Sequence, residues 1–275
     1  MRFKNKVALV TGSSKGLGAG IAREFAAQGA RVVVHGRTAA TVEQMVGEIG
    51  AAGGEAIGVT ADVASSREVH SMFASIVERY GQLDILVNNA ALTPVGPKSA
   101  QARAGFLELM TTPVAKRSLG VTRDMSDEDW QQMIAVNLNG LFYCTREALR
   151  LMEPRGCGKI VNIASTAGIS GHGFHSPHYS ATKGGVVAFT RSVGLEVIGA
   201  GVNVNCVAAG GITTETWDQF LATAGEEVKG RLLQMIPAGR LGSVKEFASL
   251  VLYLSSDDAA YLVGQTISPN GGLVT

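Results

Sequence analysis

Short, continuously apolar runs alternate along the chain with longer segments whose apolar positions recur every three or four residues. Val7–Val10 and Val32–Val34 are uninterrupted apolar stretches, the pattern of strands covered on both faces of a sheet. The alternation predicts strands over Lys6–Thr11, Arg31–His35, Ala56–Thr60, Leu83–Asn88, Lys159–Ala164, Asn203–Val207 and about Gln265–Ser268. Helices are predicted over Gly16–Gln28, Thr38–Ala52, Ser65–Tyr80, Ser126 to about Met152, and His178–Ile198. Shorter ones are expected near Thr214–Phe220, Glu226–Met235 and Ser243–Leu254. Ser126 before Asp127, Glu128 and Asp129 is a strong helix start, an N-cap oxygen followed by acids at the positive end of the dipole. Strand and helix in turn predict an α/β fold with a doubly wound parallel sheet.

Composition narrows the class. The chain has 275 residues, 46% of them hydrophobic, which suits one α/β domain with a large core. Lys and Arg total 24 against 23 for Asp and Glu, and no basic tract stands out, so neither nucleic acid nor an anionic membrane is expected as a partner. The apolar run before Thr11 is too short for a signal-peptide core, and no run has transmembrane length. Cys144, Cys157 and Cys206 lie far apart without a Cys-x-x-Cys, as expected of reduced cysteines in a cytoplasmic protein. No metal-ligand spacing occurs, so no metal is expected.

Candidate chemistry begins at the first strand–helix junction. Gly12, Ser14, Lys15, Gly16, Leu17 and Gly18 form a Gly-x-x-x-Gly-x-Gly turn where a pyrophosphate would meet backbone N–H groups and a helix N-terminus. An acid at the end of the second strand would hold the ribose 2′-hydroxyl of NAD. Gly36 and Arg37 stand there instead, and Lys15 lies in the loop. Two cations suit a 2′-phosphate, so NADP(H) is favoured over NAD(H).

Tyr179 and Lys183 are four residues apart on a predicted helix, hence on one face, and Ser165 lies fourteen positions upstream. A cation beside a phenol in a poorly solvated cleft lowers the tyrosine pKa from about 10. Taken alone, that spacing also fits ordinary core or surface placement. Taken in order, the set is distinctive: the loop at Thr11–Gly18, Asp62-Val63, Asn88-Asn89-Ala90, Asn137, Ser165, Tyr179-x-x-x-Lys183, Gly264-Gln265 and Gly271-Gly272. Over essentially its whole length the chain resembles the short-chain dehydrogenase/reductase family, nearest to its 3-oxoacyl-acyl-carrier-protein reductase and carbonyl reductase branch.

The resemblance implies a single Rossmann-like domain over residues 1–275 with about seven strands and helices on both faces. It implies an oxidoreductase moving hydride between NADP(H) and a small ketone/alcohol pair. Tyr179 would be the proton donor, Lys183 would bind the nicotinamide ribose and lower the tyrosine pKa, and Ser165 would bond the carbonyl oxygen. Asn137 would hold a water linking Lys183 to solvent. Asp62, Val63, Asn89 and Ala90 would line the adenosine and ribose, and Ile212 and Thr214 the carboxamide end of the nicotinamide. A homo-oligomer, tetramer or dimer, is implied as well. The first expectation is a carbonyl reductase; the alternative is a 3-oxoacyl-thioester reductase, and a non-catalytic nucleotide sensor would require a broken catalytic set.

The chain departs from the family pattern in Ala91, Ala209 and Asn270, and chiefly in the stretch from about Thr93 to Thr122, which is longer than the family's. This segment holds a possible helix over Ala100–Met110 and is expected beside the active-site mouth, as a substrate lid or an oligomer contact. His172 and His175 are candidates for the substrate pocket. Trp217, Phe220 and Leu221 would form either an apolar wall or ordinary core.

Overall fold

A computed structural model describes residues 1–94, 96–215 and 226–275. Strands β1 (Val7–Val10), β2 (Arg31–Gly36), β3 (Glu55–Thr60), β4 (Ile85–Asn88), β5 (Gly158–Ser165), β6 (Val202–Ala209) and β7 (Thr266–Ile267) form one sheet in the order β3-β2-β1-β4-β5-β6-β7. All six pairings are parallel. The order turns back between β1 and β4, so a crevice opens beyond their carboxyl ends, where doubly wound sheets take ligands.

The crossover helices are α1 (Gly16–Ala27), α2 (Ala39–Ala51), α3 (Ser66–Tyr80), α6 (Gly140–Met152) and α7 (Pro177–Val197), and the chain adds α4 (Pro97–Thr111), α5 (Asp127–Ile134), α8 (Glu226–Gln234) and α9 (Val244–Leu254). Alternate strand residues feed two cores. Ala8 and Val10 of β1 meet Phe25, Met45 and Phe247 from α1, α2 and α9. Val7 and Leu9 meet Phe73, Ala148 and Val197 from α3, α6 and α7. This two-sided burial is why β1 carries no polar residue. The α9 start is a full capping box, Ser243 with Glu246, the latter also held by Arg240.

Two elements differ from the sequence expectation. The inserted helix runs from Pro97 to Thr111, further at its N-terminal end than predicted, because Pro97 opens the first turn where its missing N–H costs nothing. The long helix from Ser126 is not a uniform α-helix: residues Ala135–Asn139 form a π turn between α5 and α6. Among the described residues, no helix is long and apolar enough to cross a membrane.

Candidate active site

A cleft of about 1070 Å³ opens at the carboxyl ends of β1, β4 and β5. The loop after β1 forms its floor. Gly12 has φ +65°, and a Cβ there would stand 2.9 Å from the Ala90 Cα, so only glycine lets this turn lie against the β4 end. Thr11 Oγ1 accepts from the N–H groups of Asn89 and Ala90, each at 3.0 Å. Asn89 Nδ2 returns two bonds, to Thr11 O at 2.9 Å and Gly12 O at 3.1 Å. The predicted adenosine-side residue Asn89 therefore also fastens the loop. Ser14, Lys15, Gly16, Leu17 and Gly18 line the cleft beyond it.

Arg37, Asp62, Val63 and Ala90 line the cleft at its β2–β3 end. Asp62 Oδ1 is partly engaged, accepting from the Ala64 N–H at 2.9 Å and so fixing the turn after β3. Ile212 and Thr214 line the opposite end, where Ile212 is 5% exposed and bridges to Gly242. The cradle fits a dinucleotide: an open glycine-rich turn at a helix start, two cations near one end, and room between.

At the β5 end, Ser165 closes the strand and Tyr179 and Lys183 stand on the first turns of α7. Ser165 is a hydrogen-bond partner of the Tyr179 phenol. Lys183 is 4% exposed, and its ammonium donates to Ile163 O at 2.8 Å and lies 5.6 Å from the Tyr179 ring centroid. Burial pushes Lys183 down to about 8, with the neighbouring Cys206 acting slightly against it. Burial also pushes the Tyr179 phenol above its ordinary value, and the Ser165 bond opposes that shift. The net shift of Tyr179 is therefore upward, whereas the resemblance implied a phenol lowered by Lys183. The Lys183 ammonium is directed at a backbone carbonyl, and desolvation is the largest influence on the phenol.

Asn137, expected to hold a water, stands in the π turn between α5 and α6. It does not line the cleft. It is 2% exposed in the π turn, and its amide is committed to Leu92: Oδ1 accepts from the Leu92 N–H at 2.7 Å and Nδ2 donates to Leu92 O at 3.0 Å. Nδ2 also lies 3.3 Å from Thr182 Oγ1, one residue before Lys183. The side chain thus pins the start of the inserted segment to α7.

His175 lines the cleft and packs on Phe106 of α4, ring centroids 4.8 Å apart, while Phe174 meets Phe106 edge-on at 4.9 Å. His172 lies in the 3-10 turn Gly171–Gly173. Trp217, Phe220 and Leu221 lie outside the described residues. Ser99, Arg103, Phe106 and Leu107 of α4 line the cleft, as do Leu232, Met235 and Ile236 from α8 and the turn after it.

Two features escaped the sequence reading. His35 is buried against the phosphate loop, with Gly12 N–H donating to its Nδ1 at 2.9 Å. Beneath the site runs a buried chain of polar groups, Asn88 Nδ2 to Thr145 Oγ1 at 3.0 Å and to Asn162 Oδ1 at 2.9 Å, then Asn162 Nδ2 to Thr190 Oγ1 at 3.0 Å. Asparagines within otherwise apolar strands were the available signal.

A family model described as short chain dehydrogenase matches residues 6–224. A 3-oxoacyl-acyl-carrier-protein reductase of Synechocystis is 37% identical over 276 residues, covering 98% of this chain and 97% of the relative. The Thauera aromatica (2S)-((R)-hydroxy(phenyl)methyl)succinyl-CoA dehydrogenase subunit BbsD is 38% identical over 272 residues, covering 99% and 98%. The Escherichia coli 3-oxoacyl-acyl-carrier-protein reductase FabG is 33% identical over 278 residues, covering 99% of both. With the parallel sheet, the glycine turn and the Ser165–Tyr179–Lys183 cluster in place, the chain belongs to the short-chain dehydrogenase family of oxidoreductases.

Proposed function

We propose that this protein reduces the 3-oxo group of an acyl thioester to the 3-hydroxy compound at the expense of NADPH. The observation that carries the reading is end-to-end similarity to relatives named for acyl thioesters, on a protein carrier or on coenzyme A. It favours a thioester over the simple ketone of the first expectation.

When bound, the dinucleotide supplies a hydride to the carbonyl carbon of the substrate. The Thr11–Gly18 turn would receive its pyrophosphate, Asp62, Val63, Asn89 and Ala90 its adenosine half, and Ile212 and Thr214 its nicotinamide end. Lys15 and Arg37 are the cations that would meet a 2′-phosphate. Negative charge builds on the substrate oxygen during reduction, so hydroxyl donors aimed there stabilise the transition state more than the ground state. Ser165 and Tyr179 are placed to do this, and burial keeps Tyr179 protonated at neutral pH, ready to give its proton to that oxygen. Lys183 stays largely charged below its pKa of about 8 and keeps one wall of the site cationic.

The inserted helix α4 acts as a lid. It packs chiefly against α8, and Phe106, Leu107, Leu232, Met235 and Ile236 give the roofed end an apolar character suited to an acyl chain. Arg155 is held by Asp84 at 2.8 Å and by Leu83 O at 2.9 Å, so recognition of an acidic carrier protein is assigned to other residues. The exposed apolar side chains Phe142 (42%) of α6 and Leu195 (72%) of α7 support a homo-oligomer joined through these helices. Three free cysteines, two of them buried, fit a cytoplasmic site of action.

NADPH oxidation followed with acetoacetyl-CoA, acetoacetyl-acyl-carrier protein and cyclohexanone tests the reading. The better thioester should exceed the ketone in kcat/KM by at least about a hundredfold, and the two thioesters identify the carrier. Equal or greater efficiency on cyclohexanone would overturn it. In the same assay Arg37→Ala should raise the KM for NADPH about tenfold or more and leave that for NADH unchanged.

A further inference from the structure

His35 lies where the carboxyl ends of β1, β2 and β3 meet, and its side chain is 2% exposed. The Gly12 N–H donates to Nδ1 at 2.9 Å, and Nε2 lies 3.0 Å from Ala61 O. A backbone N–H can only donate, so Nδ1 must be the accepting nitrogen. The proton then resides on Nε2, which donates to the Ala61 carbonyl. The two contacts together fix both the charge and the tautomer of the ring.

The His35 backbone closes the same knot. Its carbonyl accepts from the Ser13 N–H at 2.8 Å, and its own N–H donates to Ser13 Oγ at 3.0 Å. Gly12 has little slack, because its carbonyl is held by Asn89 and its Cα faces Ala90. The ring therefore takes up the last polar group of the residue that begins the phosphate turn.

We propose that His35 is a positioning residue of the dinucleotide site. As the neutral Nε2–H tautomer it ties the first turn of the phosphate loop to the end of β3, so that Gly12, Arg37 and Asp62 share one rigid frame. The proposal rests on the dinucleotide reading of the cleft. A proton added at Nδ1 would set donor against donor at Gly12 and open the frame. The charged group that acts on the ring is Asp62 on the turn after β3, which favours a charged imidazole; Lys15 and Arg37 line the same cleft. Burial outweighs Asp62 and the Ala61 bond, holding His35 below its ordinary value of 6.5.

Two measurements test this. The first compares NADPH binding at pH 8 by wild type, His35→Asn and His35→Leu, with folding checked by circular dichroism. The asparagine Oδ1 replaces Nδ1 as acceptor for Gly12, whereas leucine fills the space and leaves the buried N–H unpaired. His35→Leu should weaken binding about tenfold to a hundredfold, and His35→Asn less than about threefold. No loss in His35→Leu, or equal loss in both variants, would overturn the proposal. The second reads the imidazole ¹⁵N signals of the wild type at pH 7, which should report a protonated Nε2 and a bare Nδ1. The Nδ1–H tautomer or a charged ring would overturn the proposal whatever the protein binds. Wild type that shows the expected tautomer but binds neither NADPH nor NADH would overturn the dinucleotide reading, and this proposal with it.

Discussion

A methyl group added to the phosphate loop should have unequal consequences two residues apart. At Gly18 a Cβ would stand 2.3 Å from Gly12 O and 2.5 Å from Asn89 Nδ2, atoms with no room to retreat. Gly18→Ala should lower dinucleotide affinity by at least about tenfold, since the loop must break its bonds to admit it. Gly16 has φ +61° but open space around it, so Gly16→Ala should cost only about 1 kcal/mol of stability in a thermal melt. A second prediction concerns pH. Lys183 has a pKa near 8 rather than 10.5, so its charge is present below pH 8 and lost above it. The kcat/KM for reduction should fall above about pH 8, and a plateau extending to about pH 9.5 would contradict this. Stability moves the other way: the unfolded chain keeps the lysine proton up to about 10.5, so stability rises between pH 8 and 10.5. At this scale the sequence was legible where partners are near neighbours or form a spaced motif, as with Gly12, Gly18, Tyr179 and Lys183. His35 and Asn137 were not, because what they do depends on Ala61 and Leu92, brought to them by the fold.

Elements with strong periodicity were predicted to within a few residues. The π turn over Ala135–Asn139 was missed because its cause is tertiary: it belongs to the segment whose Asn137 reaches Leu92 and Thr182 at once. Asn137→Ala would leave the Leu92 N–H and carbonyl without their partner, and should cost about 2 kcal/mol in denaturant unfolding. The inserted segment was recognised by its excess length, but its role follows from contacts. Since α4 leans on α8 and presents Phe106 to His175, its loss should be felt by the substrate rather than the sheet. Replacing residues 97–116 by a short Gly-Ser linker should raise the thioester KM about tenfold while changing NADPH affinity less than about threefold. An unchanged KM would remove the lid assignment.

For the molecule as a whole, the parallel order β3-β2-β1-β4-β5-β6-β7 brings the glycine turn after β1 and the Ser165, Tyr179 and Lys183 cluster beside β5 to one crevice. Alternating apolar runs and helices made this architecture legible, because a strand buried on both faces has few other sequence solutions. The substrate was not legible, since the residues of α4 and α8 that line the cleft reach it only through packing. The central claim is that a half-buried, protonated Tyr179 is the acid of a dinucleotide-dependent thioester reduction. Its most direct test is NADPH oxidation with acetoacetyl-CoA or its acyl-carrier counterpart by wild type and Tyr179→Phe, with NADPH binding titrated in parallel. Turnover should fall by about a thousandfold or more while NADPH affinity stays within about twofold. Turnover retained within about tenfold of wild type would contradict the assignment.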